Sequence, residues 1–261
     1  MLEPGMHNLG RFVWFDLMTT DTSAAQSFYD ATLGWKTVPW EGESDKPYTM
    51  FAVGERPIGG LLELPDAVRA MNVPPHWKAY AKVADIGIAL QEVEKLGGAI
   101  HKAAWTITSV GTVAIVADPQ GAVFALFQPE EDRPPNDESQ PGFIGWNELN
   151  TTDHESAWTF YSALLNWTKT DSVDMGPELG KYAMFKHEAG ERSIGGMCNA
   201  ATQQPPHWLH YTNVASIDDT VASIKANGGK VLSGPLSVPG GRVARCQDPQ
   251  GAAFAIHERV K

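Results

Sequence analysis

The chain alternates short apolar stretches with amphipathic ones, and its beginning shows the pattern most clearly. The stretch Arg11–Met18 predicts a strand, because it is short and carries few polar residues. Asp21 then offers a carboxylate that can accept hydrogen bonds from the free amides of a first helical turn. Apolar residues follow at helical spacing up to Gly34, a residue type that often ends helices in the left-handed conformation. The pattern therefore predicts a strand followed at once by a capped helix.

Further strands and a second helix follow before the chain reaches a charged segment. Three short strands come first, then a strand that opens after a proline-rich stretch, a helix beginning near Asp85, and three more strands. The limits of six of these strands can be predicted from the sequence: Trp35–Trp40, Tyr48–Val53, Ile58–Glu63, His76–Val83, Val113–Ala117 and Ala122–Gln128. This order is that of two consecutive βαβββ modules.

The same order then recurs, because the chain repeats its own motifs. The offset is 132 residues between Trp14 and Trp146, and 130 residues between Asp118 and Asp248. The repeated motifs are Trp14–Asp21 with Trp146–Asp153, Phe28–Tyr29 with Phe160–Tyr161, Pro74–Trp77 with Pro205–Trp208, and Asp118–Ala122 with Asp248–Ala252. Solenoid units recur every 20 to 50 residues or so, which is much shorter. The repeat therefore indicates a duplicated domain and four modules in all.

A polar, proline-rich segment separates the two halves. It carries many charges and little that could be buried, which is typical of a linker. We therefore expect a first domain at residues 8–129, a linker at 130–142 and a second domain at 143–261.

The composition limits which cellular compartment and which classes of partner are expected. The formal net charge of −11 argues against nucleic acid or an anionic membrane surface as partner, since both attract clustered Lys and Arg. The chain lacks an apolar run of membrane-spanning length and a signal-peptide pattern at its start. Its two cysteines, Cys198 and Cys246, are expected to be reduced thiols. We expect a cytoplasmic protein, monomer or homodimer, whose partner is a small molecule.

An aspartate-capped helix that carries Phe-Tyr and ends at Leu-Gly-Trp, with a final Asp-Pro-Gln-Gly-Ala hairpin, resembles the vicinal oxygen chelate superfamily. That group includes glyoxalase I, bleomycin-resistance proteins and extradiol dioxygenases, and the resemblance covers almost the whole chain outside the linker. It implies an α+β fold in which four βαβββ modules pair into two glyoxalase/bleomycin-resistance-like domains. It further implies open, cup-shaped sheets with the ligand inside. Fold alone does not establish chemistry.

The resemblance also implies where a metal ion would bind in the metal-dependent members. Their ligand positions on the first strand, the last strand and the strand that opens the second module correspond here to Trp14, Ala125 and Lys78, and to Trp146, Ala255 and Leu209. A divalent ion needs imidazole, carboxylate or thiolate donors, and none of these six side chains supplies one. We therefore expect no cofactor at the usual positions.

A displaced metal site in the second half is an alternative. Residues two apart on a strand face the same side, so Glu148, His207 and His257 could gather in one cup. Two histidines and a carboxylate suit a divalent metal such as non-haem iron. Against this, His76 repeats His207 although the first half has Phe127 in place of His257. A repeated histidine beside tryptophan also fits a hydrogen-bonded structural role.

Two acidic residues are the candidate catalytic residues. Asp16 and Glu148 lie in otherwise apolar strands, where a carboxylate is costly unless it is paired or hydrogen-bonded. Each could be a general base or a ligand anchor, or its carboxylate could be satisfied by backbone amides or by a nearby arginine. The predicted ligand-binding residues are Trp14, Asp16, His76, Tyr80, Trp146, Glu148, His207, Tyr211 and His257, although the aromatic ones could equally fill the core.

Three functions remain open from the sequence. The first is binding of a small apolar or aromatic molecule in cups without the usual metal ligands, by analogy with bleomycin-resistance proteins. The second is a divalent-metal-dependent lyase or dioxygenase of glyoxalase type, with its site in the second domain. The third is a non-catalytic interaction module. Whether the protein is an enzyme stays open at this point.

Overall fold

The computed structural model describes residues 9–42, 48–132, 134, 136–176, 180–199 and 205–260. The elements of the first half are β1 (Phe12–Thr19), α1 (Thr22–Leu33), β2 (Lys36–Pro39), β3 (Thr49–Val53), β4 (Arg56–Glu63), α2 (Asp66–Ala70), β5 (His76–Lys82), α3 (Ile86–Lys95), β6 (Ala99–Ile107), β7 (Gly111–Ala117) and β8 (Val123–Pro129). Those of the second half are β9 (Ile144–Thr151), α4 (His154–Leu165), β10 (Trp167–Asp174), β11 (Lys181–His187), β12 (Gly195–Asn199), β13 (His207–Asn213), α5 (Ile217–Ala226), β14 (Lys230–Val238), β15 (Gly241–Gln247) and β16 (Ala253–Arg259).

The predicted order of strands and helices is confirmed in both halves. Each half reads βαβββ twice, and the predicted strand limits agree with the observed ones to within about two residues. The sequence pattern missed the five-residue helix α2, which begins directly after Pro65 in the proline-rich stretch.

Each half contributes one open, mixed sheet of eight strands. The strand order is β2-β3-β4-β1-β5-β8-β7-β6 in the first half and β10-β11-β12-β9-β13-β16-β15-β14 in the second. The first and fourth strands of a module pair in parallel, as β1 with β4 and β5 with β8. The remaining neighbours within a module are antiparallel. The predicted α+β class, with four βαβββ modules and open sheets, is confirmed.

The predicted cap at Asp21 and the predicted helix end at Gly34 are confirmed, and equivalent ends occur in the second half. The side chains of Asp21 and Asp153 accept hydrogen bonds from amides in the first turns of α1 and α4, and Ser216 does the same for α5. Gly34 and Asn166 end α1 and α4 with positive φ angles of 70° and 53°. These ends were readable because a cap is a local interaction between residues close in sequence.

The chain forms two compact units, and each unit combines modules from both halves. Unit 1 comprises the described residues of Met1–Val13, Ala79–Pro135 and Trp146–Trp208. Unit 2 comprises those of Trp14–Lys78, Asn136–Gly145 and Leu209–Lys261. The second and third modules therefore share most of unit 1, and the first and fourth share most of unit 2.

In unit 2, a chain of buried polar groups joins the two halves. Trp77 Nε1 donates to Tyr29 Oη at 3.1 Å, and Tyr29 Oη donates to Asp248 Oδ2, also at 3.1 Å. The other oxygen of Asp248 accepts backbone N–H groups of its own turn, including Ala252 N at 2.8 Å. Burial, followed by the charge of Asp248, raises the pKa of Tyr29 well above its ordinary value. The repeated motifs thus meet each other across the halves.

Unit 1 contains the equivalent series of hydrogen bonds. Trp208 Nε1 donates to Tyr161 Oη at 3.1 Å, and Tyr161 Oη donates to Asp118 Oδ2 at 3.1 Å. Aromatic residues surround both tyrosines, and Trp167 stacks on Tyr161 with ring centroids 5.3 Å apart. The rings of the two Phe-Tyr pairs and of the tryptophans that follow α1 and α4 are buried in the core.

The segment predicted as a linker is held in place by hydrogen bonds. In unit 2, Trp35 Nε1 donates to Gly142 O at 2.7 Å, and Asn213 Nδ2 donates to Glu138 O at 2.6 Å. In unit 1, buried Lys82 forms an ion pair with Asp132. Residues 8, 133, 135 and 261 of the predicted domain and linker limits lie outside the described residues. Between the halves, the chain therefore packs against both units.

Two further findings bear on the predictions from composition. In the part of the chain that the structure describes, none of the helices is long and apolar enough to cross a membrane. Cys198 and Cys246 are both buried.

Candidate functional site

A tryptophan, a carboxylate and a tyrosine meet in unit 2. Strand alternation places Trp14 and Asp16 on one face of β1, and Tyr48 reaches them from the start of β3. Trp14 Nε1 donates to Asp16 Oδ1 at 3.0 Å and to Tyr48 Oη at 2.9 Å, while Tyr48 Oη donates to Asp16 Oδ1 at 2.8 Å. We call these three residues the Asp16 cluster.

Unit 1 contains a corresponding cluster built from the repeated residues. Trp146 Nε1 donates to Tyr182 Oη at 2.8 Å, and Tyr182 Oη donates to Glu148 Oε2 at 3.3 Å. Asn150 Nδ2 adds a bond to Glu148 Oε1 at 3.0 Å. We call these four residues the Glu148 cluster. Its extra donor is a difference from the first half, because Met18 stands at the position equivalent to Asn150.

Glycines on the neighbouring strand make room for both tyrosines. A Cβ at Gly60 would overlap the Tyr48 hydroxyl, and one at Gly196 would overlap the Tyr182 ring. The preceding glycines, Gly59 and Gly195, lie so close to the parallel strand that a Cβ would overlap its backbone carbonyl. Glycine within a strand often marks such a close backbone approach.

Both clusters combine a buried charge with aromatic groups that remain partly accessible. Asp16 and Glu148 are 4% and 5% exposed, whereas the two tryptophans and two tyrosines are partly exposed. Burial, together with the charge of Asp16 and the bond to it, raises the pKa of Tyr48 far above its usual value. Tyr48 therefore keeps its proton at neutral pH and remains a hydrogen-bond donor to Asp16. Each cluster can present an indole face, a phenol oxygen and a carboxylate to a ligand.

The two repeated histidines make the same local contact. His76 Nδ1 lies 2.8 Å from the carbonyl oxygen of Pro74, and His207 Nδ1 lies 2.9 Å from that of Pro205. Burial lowers the pKa of His76, which favours the neutral ring. These contacts fit the structural alternative, in which each histidine fixes the turn before its strand.

The remaining predicted ligand-binding residues are placed by β5, β13 and β16. Tyr80 and Tyr211 are buried and pair in register with Ala125 and Ala255 on parallel strands. His257 lies on β16, and burial lowers its pKa below the ordinary value. Its Nε2 is buried and, among the described residues, has no hydrogen-bond partner.

The predicted alternative metal ligands do not form a metal-binding group. Among the residues that the structure describes, no three or more His, Cys, Asp or Glu side chains lie together as a potential metal site. Glu148 and His207 belong to unit 1, whereas His257 belongs to unit 2. The bonds of Glu148 that are described above lead to Asn150 and Tyr182, neither of which is a histidine.

Tyr48 and Tyr182 were missed as site residues, although the sequence carried a signal for them. Each begins a repeated Tyr-x-Met-Phe motif, and each is followed by a repeated Ile-Gly-Gly on the next strand. The offset there grows to 134 residues, so an alignment at constant offset does not superimpose the two tyrosines. Their bonds to carboxylates on another strand depend on strand pairing, which no local pattern specifies.

Known proteins resemble this chain over nearly its whole length. It is 31% identical over 252 residues to "Putative glyoxylase CFP32" of Mycobacterium tuberculosis, covering 93% of this chain and 92% of the relative. It is 29% identical over 265 residues to "Anthracycline biosynthesis protein DauV" of Streptomyces sp., covering 95% and 93%.

Solved structures share the fold at lower identity. The Mn(II)-bound glyoxalase from Novosphingobium aromaticivorans matches with a TM-score of 0.64 and 16% identity, covering 97% of this chain and 83% of that one. The 2,3-dioxygenase LapB from Pseudomonas sp. KL28 matches with a TM-score of 0.66 and 13% identity, covering 97% and 94%. The sequence model of one family matches residues 11–126 and 143–256, one segment in each half. The chain therefore belongs to the Glyoxalase/Bleomycin resistance protein/Dioxygenase superfamily.

Proposed function

We propose that the protein binds a small, largely apolar or aromatic molecule at the Asp16 and Glu148 clusters, and that binding needs no metal ion. The observation that carries the proposal is the repeated Trp–Tyr–carboxylate arrangement. Trp14 and Trp146 offer apolar faces that remain partly exposed, and a buried carboxylate lies within hydrogen-bond reach of the tyrosine beside each. Small-molecule sites typically combine such apolar surface with a few fixed polar groups.

The clusters suit an organic ligand better than a divalent ion. A metal site needs several imidazole, carboxylate or thiolate donors around one point. Each cluster supplies a single carboxylate, and that carboxylate already accepts hydrogen bonds from neutral donors. Indole nitrogen does not coordinate a divalent ion, because its lone pair belongs to the aromatic system and the group acts only as a donor.

Relatives support an aromatic ligand. The chain resembles, over 95% of its length, a protein named for anthracycline biosynthesis, and anthracyclines are planar polycyclic aromatic compounds. Stacking and burial of such a ring on partly exposed tryptophans is a common mode of aromatic recognition. The second candidate function, a metal-dependent lyase or dioxygenase, is favoured by the shared fold with the Mn(II)-bound glyoxalase.

A binding titration with 2-naphthol distinguishes these functions. We expect quenching of tryptophan fluorescence that saturates, before and after dialysis against a chelator. Trp14→Leu and Trp146→Leu should each weaken binding, because each removes an indole face. Trp105→Leu is the matched control, since Trp105 lies on the edge strand β6, outside both clusters.

Three outcomes would contradict the proposal. Binding that disappears after chelation and returns with one divalent metal would favour the metal-dependent function. Equal affinity of all three variants for 2-naphthol would show that the two clusters are not the binding site. Lack of any saturable binding by the wild-type protein would refute an aromatic-binding function outright.

A further inference from the structure

The two clusters differ on the side of the tyrosine that faces the neighbouring strand. Trp40 lies across from Tyr48: its backbone N–H donates to Tyr48 O at 2.9 Å, and the two rings meet edge to face at 5.9 Å. In the other cluster, the residue across from Tyr182 is Val173. The Asp16 cluster therefore has a second tryptophan at its tyrosine, and the Glu148 cluster has an aliphatic side chain.

The clusters differ again beside the carboxylate. Strand alternation places Met18 on the same face of β1 as Trp14 and Asp16. The equivalent residue beside Glu148 is Asn150, which donates to the carboxylate at 3.0 Å. The surroundings of Asp16 are thus more apolar and more aromatic than those of Glu148.

The oxygen of the Tyr48 hydroxyl can accept one more hydrogen bond, which a ligand could donate. A phenol oxygen carries one proton and two acceptor lone pairs. The hydroxyl of Tyr48 donates a hydrogen bond to Asp16 Oδ1 at 2.8 Å, and one lone pair of its oxygen accepts a hydrogen bond from Trp14 Nε1 at 2.9 Å. Donation to a carboxylate polarises the phenol oxygen and makes it a better acceptor. Because Tyr48 is held protonated by burial and by Asp16, it offers this acceptor across the neutral pH range.

Resting on the proposed binding function, we propose that the Asp16 cluster and Trp40 form the site for a planar aromatic ligand that carries a hydroxyl group. Tyr48 is the specificity-determining residue: its oxygen accepts a hydrogen bond from the ligand hydroxyl while the ring of the ligand contacts the indoles. We expect no such selection at the Glu148 cluster, because Tyr182 Oη donates to Glu148 Oε2 at 3.3 Å, a longer bond than that of Tyr48 to Asp16, and its oxygen is therefore less polarised as an acceptor. The two halves have therefore diverged in what they bind.

The test compares two ligands that share the naphthalene ring and its oxygen, of which only one can donate a hydrogen bond. 2-Naphthol carries a hydroxyl proton, and 2-methoxynaphthalene has a methyl group in its place. Since one net hydrogen bond corresponds to roughly tenfold in affinity, we expect the wild-type protein to prefer 2-naphthol by about that factor. Tyr48→Phe should abolish the preference, and Trp105→Leu, which lies outside both clusters, should leave it unchanged. Tyr182→Phe removes the equivalent hydroxyl from the Glu148 cluster and is the comparison in the other half.

A second variant separates selection from stacking. Trp40→Ala should weaken binding of both ligands by a similar factor and preserve the preference for 2-naphthol, because it removes an aromatic wall and keeps the acceptor. Circular dichroism and thermal melting verify that each variant folds. If Tyr48→Phe does not fold, Asp16→Asn provides the second test, since it weakens the polarisation of Tyr48 and should reduce the preference.

The outcomes separate this inference from the function on which it rests. If the wild-type protein binds both ligands equally, or if the preference is lost in Tyr182→Phe and kept in Tyr48→Phe, the selection by Tyr48 is refuted while aromatic binding stands. If the wild-type protein binds neither ligand, the proposed function fails and the inference fails with it.

Discussion

Replacing Tyr161 with Phe should strongly destabilise unit 1. The hydroxyl that is lost lies in a fully buried residue, donates to Asp118 Oδ2 and accepts from Trp208 Nε1, each at 3.1 Å. A hydrogen bond to a charged group contributes about 1.5–3 kcal/mol, and a buried N–H left without an acceptor costs about 1–3 kcal/mol. Because the two effects are not independent and Phe is the more apolar residue, we expect a loss of about 2–4 kcal/mol in the free energy of unfolding.

Urea unfolding followed by tryptophan fluorescence measures this loss, and a double-mutant cycle with Asp118→Asn isolates the bond. A coupling energy of about 1–2 kcal/mol is expected for groups in direct contact. Tyr29→Phe serves as the matched variant, because Tyr29 makes the same two bonds in unit 2.

Hydrogen exchange provides the result that could refute the reasoning. Tyr161→Phe should speed amide exchange in the segments that both halves contribute to unit 1, including residues 79–135 of the first half. Faster exchange confined to the second half would show that the halves fold separately. A loss in the free energy of unfolding below about 0.5 kcal/mol would show that the buried chain of hydrogen bonds contributes little.

Three further changes have defined outcomes. Burial lowers the pKa of His187 to about 4, so the unfolded state takes up a proton before the folded state does as the pH falls. The free energy of unfolding should therefore decrease by about 1–3 kcal/mol between about pH 6.5 and pH 4. In urea titrations, His187→Gln should reduce this pH dependence, and an unchanged dependence would exclude His187 as its source. Gly196→Ala should weaken ligand binding, because its methyl group would overlap a tyrosine ring, whereas Gly180→Asn, in open space with positive φ, should leave binding unchanged; equal affinities in fluorescence titrations would contradict this. Lys82→Met should lower the melting temperature, because it leaves the partly buried Asp132 without its cation, and the melting temperature should fall further at low salt. An unchanged melting curve would show that the ion pair does not contribute to stability.

Local chemistry explains why so much of the fold was predictable. The caps at Asp21 and Asp153, the left-handed ends at Gly34 and Asn166, and the module order follow from neighbouring residues and from hydrophobic spacing. The repeat then allowed each prediction to be made twice.

Long-range pairing explains what was not predictable. Neither the bond of Tyr29 to a carboxylate 219 positions away nor the bond of Tyr48 to Asp16 leaves a periodic trace in the sequence. Proline and charge in residues 130–142 predict a linker, but they give no sign that the side chains of Trp35 and Asn213 donate to its carbonyl oxygens. The carboxylates at the predicted sites could be recognised from their residue type, whereas the tyrosines that complete the sites could be found only once the strands were paired.

The crossed tyrosine–aspartate bonds have a consequence for the independence of the two halves. Tyr29 of the first half binds Asp248 of the second, and Tyr161 of the second binds Asp118 of the first. Each half therefore supplies a tyrosine to one unit and an aspartate to the other. A single half, expressed alone, would carry a tyrosine and an aspartate whose partners lie in the other half. Duplication has thus produced two halves that complete each other's buried hydrogen bonds.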